Sequence, residues 1–213
     1  MLNLTGNRVI SIPSQISKLR GLKWLQLSHN RMSSLPASLG RLTRLRRLHV
    51  AHNRLQKLPA ELSTLTGLQE LQLEGNKLQS LPPELLKSVS QLQVLNLENN
   101  ELSSLPIHEF ACLTCLRTLR LGGNRFDLSP QDVISLLADI VHSAETLREL
   151  SLRDISLKGL STLKPPSSAP VLSSSEALDN RPPPSPFNYI CLLKGLKVKT
   201  IFLLLRRSNS FFF

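Results

Sequence analysis

An asparagine returns along the chain at Asn7, Asn30, Asn53, Asn76, Asn100 and Asn124, at intervals of 23, 23, 23, 24 and 24 residues. The last five each close one phrase, L-x-x-L-x-L-x-x-N. It reads Leu22-Leu25-Leu27-Asn30, Leu45-Leu48-Val50-Asn53, Leu68-Leu71-Leu73-Asn76, Leu92-Leu95-Leu97-Asn100 and Leu116-Leu119-Leu121-Asn124. A fixed period in the twenties leaves few folds open. One such unit cannot bury its own apolar face, so successive coils must stack into a solenoid. The fourth and sixth positions alternate with the period of a short strand that has one buried side. The asparagine follows the strand, where the chain turns. Its amide both donates and accepts, so a column of asparagines serves backbone groups that the turns leave unpaired. These asparagines are read as scaffold, not as ligands.

The second half of each unit reads L-P-x-x-L, at Leu35-Pro36-Leu39, Leu58-Pro59-Leu62 and Leu81-Pro82-Leu85, with weaker copies at Ile12-Pro13-Ile16 and Leu105-Pro106. Proline fixes φ and donates no backbone bond, which suits the return arc outside the strand ladder. Together the two half-motifs make the chain, over residues 2 to 163, resemble the intracellular leucine-rich repeats of about 23 residues in Erbin-type, Ras-suppressor-type and Shoc-type scaffold proteins. That resemblance implies an α/β class fold: a curved right-handed solenoid with a parallel sheet on the concave face and irregular or short helical arcs on the convex face. It also implies an adaptor role with no activity of its own.

The expected organisation is a solenoid of about six to seven repeats over residues 1–163 and a tail over 164–213. Leu2 and Leu4 already occupy the fourth and sixth positions of a repeat, so the array opens inside a strand without the polar cap that terminal repeats need. A fragment, an alternative start or a longer parent protein is expected. After Asn124 the repeat lengthens, since Leu147 lies 31 residues past Leu116. Ser129-Pro130-Gln131-Asp132 has the chemistry of a helix start, and Val133, Leu136, Leu137, Ile140 and Val141 follow at helical spacing. A last half-unit, Leu147-Leu150-Leu152, ends at Ile155, with Leu157 and Leu160 expected to cover it. The tail holds seven of the fourteen prolines, then turns basic and apolar, which reads as disordered. Its longest apolar run, Ile201 to Leu205, is far shorter than the roughly 20 residues of a membrane span.

The formal charge of +11 is unevenly spread. Residues 1 to 60 carry eleven Lys or Arg and no acid; residues 61 to 163 carry eight bases and thirteen acids; the tail carries seven bases and two acids. An asymmetric field of this kind points to an acidic protein partner at the N-terminal repeats. Nucleic acid is disfavoured, because aromatics are only 4% of the chain and show no stacking pattern. No signal peptide precedes the first repeat and no cysteine-rich cap is visible, so a cytoplasmic location is expected. Cys112 and Cys115 form a C-x-x-C without the second pair that a zinc site needs, and read as ordinary arc residues.

Positions two, three, five, seven and eight of each phrase are read as facing outward. They give Lys23, Trp24, Gln26, Ser28 and His29, then Arg46, Arg47, His49, Ala51 and His52. The next coils give Gln69, Glu70, Gln72, Glu74 and Gly75, and then Gln93, Val94, Asn96, Glu98 and Asn99. Trp24 is the only tryptophan, and tryptophan and arginine dominate interface hot spots. Trp24 beside Lys23, Arg46 and Arg47 is therefore the candidate contact patch, with His29, His49, His52 and Glu70 completing the partner-facing set. The three histidines are read as a solvated face and not as metal ligands, and no cofactor is expected. Phosphate loops, G-x-S-x-G and H-E-x-x-H are all missing, so no catalytic role is assigned. The reading is a protein-interaction module or scaffold in intracellular signalling. Its alternatives are a substrate-recognition fragment of a larger enzyme such as a ubiquitin ligase, or a peripheral membrane protein held by its tail.

Overall fold

A computed structural model describes residues 1–126, Asp132, Ser135, Leu136 and 147–151. The expected helix start at Ser129 to Gln131, the end cover at Leu157 and Leu160, and the whole tail lie outside the described residues. Of the expected helix, Asp132, Ser135 and Leu136 are helical and Leu136 is buried.

Among the described residues, seven short strands form one parallel sheet in chain order. They are β1 (Leu2–Asn3), β2 (Trp24–Gln26), β3 (Arg47–His49), β4 (Glu70–Gln72), β5 (Val94–Asn96), β6 (Thr118–Arg120) and β7 (Glu149–Ser151). The register follows the period: Leu25 lies beside Leu48, Leu48 beside Leu71, Leu71 beside Leu95 and Leu95 beside Leu119. Strand neighbours sit about 4.8 Å apart, closer than the bulkier arcs behind them pack, so the sheet lines the inner curve. The central residue of β2, β3, β4, β5 and β6 is 0% exposed, and the residues on either side of it are partly exposed except at Asn96. The assumed phase of the coils therefore holds.

The core is a continuous leucine stack from Ile12 to Leu150. Met32, Leu55, Leu78 and Leu102, each two residues past an asparagine, are 0% exposed and extend the stack beyond the turn. The asparagine column does what its chemistry requires. Asn53 donates through Nδ2 to the carbonyls of Leu27, Val50 and Ala51, at 3.0, 3.1 and 3.2 Å, and its Oδ1 accepts from the Met32 N–H at 3.0 Å. Asn30, Asn76, Asn100 and Asn124 repeat the pattern, each tying its own coil to the one before. Asn7 is exposed and among the described residues its side chain bonds only to its own turn, at Leu4 and Thr5.

The arcs explain the two repeat lengths. In the 23-residue coils a proline leads a 3-10 helix: Pro13 before Ser14–Lys18, Pro36 before Ala37–Arg41 and Pro59 before Ala60–Thr64. Each of these helices closes on a bond between residues three apart, as from the Leu42 N–H to the Leu39 carbonyl. In the first 24-residue coil the equivalent pair is Leu85 and Val89, four apart, and the arc is an α-turn, α1 (Leu85–Ser88). One inserted residue turns a 3-10 turn into an α-turn without moving the leucines on either side. In the next coil the extra residue falls between Pro106 and Phe110, inside a 3-10 helix of six residues, Ile107–Cys112, where the earlier arcs have five, which is why its L-P motif looks incomplete.

Candidate functional site: the strand face

The strand face is built by lateral register, so residues 23 apart become neighbours. Trp24 pairs with Arg47 and Arg47 with Glu70, one row across three strands; Gln26 pairs with His49 and His49 with Gln72, the row beside it. The Arg47 guanidinium lies over the Trp24 ring, 5.1 Å from its centroid, a cation–π contact. The His49 ring meets the same indole edge-on, with centroids 5.9 Å apart. Glu70 binds both bases: Oε1 is 3.1 Å from Arg47 Nε and Oε2 is 3.2 Å from His49 Nε2. Trp24, Arg47, His49 and Glu70 thus form one half-buried cluster. Trp24 Nε1 is enclosed without an acceptor among the described residues.

The other expected contacts lie elsewhere. Lys23 is exposed beside the cluster, and its carbonyl accepts from the N–H groups of Arg46 and Arg47. Arg46 is exposed, but its Nη1 donates to the Gly67 carbonyl at 2.7 Å, so it braces the turn leading into β4. His29 and His52 are exposed and stacked, with ring centroids 4.4 Å apart and planes 17° from parallel. His49 turns away from this pair toward Glu70 and Trp24. Among the described residues no three His, Cys, Asp or Glu side chains group as a metal site would need.

Two residues read as outward are buried: Ala51 is 4% exposed and Asn96 is 4% exposed. Position seven sits where the strand bends into the turn, and a methyl there reaches no further than its own backbone. Asn96 lies between the longer Gln72 and Arg120, and its Oδ1 accepts from the Glu98 N–H.

Position eight carries a constraint that the outward reading overlooked. His29, His52 and Asn99 have φ of 57°, 52° and 54°, and Gly6, Gly75 and Gly123 fill the same position with φ of 72°, 68° and 66°. The turn into the asparagine needs a left-handed residue, which glycine adopts freely and Asn or His tolerates better than most. The alternation of Gly, His and Asn at a fixed phase was the available signal. His29 and His52 therefore serve the backbone as well as the surface.

The C-terminal coils carry a different face. Arg120 bonds Glu149 on the next strand, at 2.8 Å through Nε and 2.7 Å through Nη2, and the Ser151 hydroxyl donates to Glu98. Cys112 and Cys115 are free and half-buried on the arc. No helix among the described residues is long and apolar enough to cross a membrane.

Comparison with known proteins agrees with this geometry. A model of the leucine-rich repeat matches residues 1–55 and 66–126, and a second model of two such repeats matches 43–87. The fold is similar to that of the LRR protein LIC12759 of Leptospira interrogans, with a TM-score of 0.61 and 33% identity over 71% of this chain and 36% of that one. It is also similar to the LRR ectodomain of the plant membrane receptor kinase GASSHO1/SCHENGEN3 from Arabidopsis thaliana, solved in complex with Casparian strip integrity factor 2. Here the TM-score is 0.56, with 30% identity over 68% of this chain and 20% of that one. The chain thus spans about a third and a fifth of these proteins. No curated protein matches the chain. With a repeating asparagine column, a one-per-coil parallel sheet and a matching family model over more than half its length, the chain belongs to the leucine-rich-repeat family.

Proposed function

We propose that this chain is a non-catalytic protein-interaction module that binds a protein partner through its strand face, as a cytoplasmic scaffold of the 23-residue signalling subgroup. The observation that carries the reading is the cluster at Trp24. A tryptophan stands half-exposed on the face, flanked by Arg47 and His49, with its indole N–H lacking an acceptor. An enclosed donor left unpaired costs about 1–3 kcal/mol, which a partner's acceptor would recover once the indole turns outward. Large aromatic and arginine side chains are also the residues on which interface energy concentrates. The relative solved in complex with Casparian strip integrity factor 2 supports a binding role for this architecture. Free Cys112 and Cys115 suit a reducing compartment.

The test compares proteins captured from cells by the native chain with those captured by a Trp24→Ala, Arg47→Glu double variant. Partners recovered by the first and lost by the second identify the face. Identical recovery defeats the reading.

A further inference from the structure

The residue after each asparagine forms a column that the strand-face reading does not use. Arg8, Arg31, Arg54 and Lys77 follow Asn7, Asn30, Asn53 and Asn76, and all four are exposed. Their backbones are locked in register: the N–H of Arg31 bonds the Val9 carbonyl at 2.9 Å, that of Arg54 bonds Met32 at 2.8 Å, and that of Lys77 bonds Leu55 at 2.9 Å. The four cations therefore stack at successive strand spacings, about 4.8 Å apart, along the edge where the strands end. None has a carboxylate or other side-chain partner among the described residues. The column changes sign only at Glu101, which pairs with Arg125 on the next coil at 3.6 Å.

We propose that Arg8, Arg31, Arg54 and Lys77 form a docking rail for an extended acidic segment of a protein. Like charges stacked at this spacing repel one another, and a row of carboxylates laid along them converts that repulsion into attraction. The rail is one charge wide and about 14 Å long, the reach of four or five extended residues. That width fits a single chain and not a duplex. A single nucleic-acid strand would need aromatic platforms for its bases. Trp24 is the only Phe, Tyr or Trp in the first hundred residues, and Arg47 covers its ring. The rail is independent of the Trp24 cluster, so the two proposals fail separately.

The test titrates labelled decaglutamate into the full chain at low salt, alongside a decathymidylate strand and an uncharged peptide of equal length. Arg8→Gln, Arg31→Gln, Arg54→Gln and Lys77→Gln together are expected to weaken decaglutamate binding about tenfold or more. Four exposed cations off the rail, Lys18, Arg20, Arg41 and Arg44, changed to glutamine together shift it by about twofold at most, and so does Trp24→Ala. Glu101→Lys lengthens the rail and is expected to tighten binding about threefold, which tests the proposal even if the quadruple rail variant folds poorly. Equal losses in the two quadruple variants, no gain with Glu101→Lys, no decaglutamate binding, or tighter binding of the oligonucleotide would each overturn it.

Discussion

Through Ala60 the chain carries eleven Lys or Arg and no acid, whereas from Glu61 to Leu163 eight bases face thirteen acids. The two regions are alike inside: Leu25, Leu48, Leu71, Leu95 and Leu119 are all fully buried and in register. On the surface they differ. In the C-terminal coils charges find partners, as in Arg120 with Glu149, Arg125 with Glu101, and Lys87 with Glu84 and Glu109. The Glu84 hydrogen bond also raises the Lys87 pKa. In the N-terminal coils Glu70 is the one acid among the described residues that reaches back, where it pairs with Arg47 and lies within hydrogen-bond distance of His49. The buried stack runs along the whole solenoid, while cations without an ion-pair partner among the described residues are concentrated at its N-terminal end.

The asparagine column supplies the strongest test of the shared interior. Asn53→Ala strips a donor from three carbonyls and an acceptor from the Met32 N–H, and is expected to cost about 2–4 kcal/mol in urea unfolding. Asn7→Ala, exposed and bonded within its own turn, should cost under about 1 kcal/mol. Equal losses would show that the column does not bind coil to coil. Gly75→Ala comes next. It places a Cβ in a left-handed turn, 2.5 Å from His52 Nδ1, and is expected to cost about 1–2 kcal/mol. A neutral result would mean that position eight is not held left-handed.

Charge swaps probe the contrast itself with smaller effects. Arg31→Glu places an acid between Arg8 and Arg54 and should stabilise the chain by about 0.5 kcal/mol at low salt. Glu101→Lys should destabilise by a similar amount, about 0.5 kcal/mol, and both effects should fade in high salt. Thermal melts at two ionic strengths decide. Of comparable size is Arg47→Gln, which removes a half-buried ion pair and a ring contact worth about 1 kcal/mol or less. A larger loss would make the Trp24 cluster a structural element more than a contact surface.

Much of this was legible because a strict period turns sequence distance into spatial contact. Trp24, Arg47 and Glu70 are 23 apart, and they lie side by side on three strands. Less legible was the direction of long side chains. Arg46 and Arg47 occupy adjacent positions, yet one braces the Gly67 carbonyl and the other covers Trp24, a choice settled by groups on different coils. The double role of Glu70 has the same origin: its reach toward Arg47 or His49 depends on rotamers that no spacing encodes.

The sequence alone determined the solenoid, the phase of its buried leucines and the place of its asparagines. Each depends only on backbone pairing and on whether a side chain is apolar or can both donate and accept. Tertiary structure decided which cations are paired, which turns are left-handed and which short side chains, such as Ala51 and Asn96, are buried on the strand face. Those outcomes depend on the lengths, charges and torsions of residues brought together from neighbouring coils, and such meetings exist only once the stack has formed.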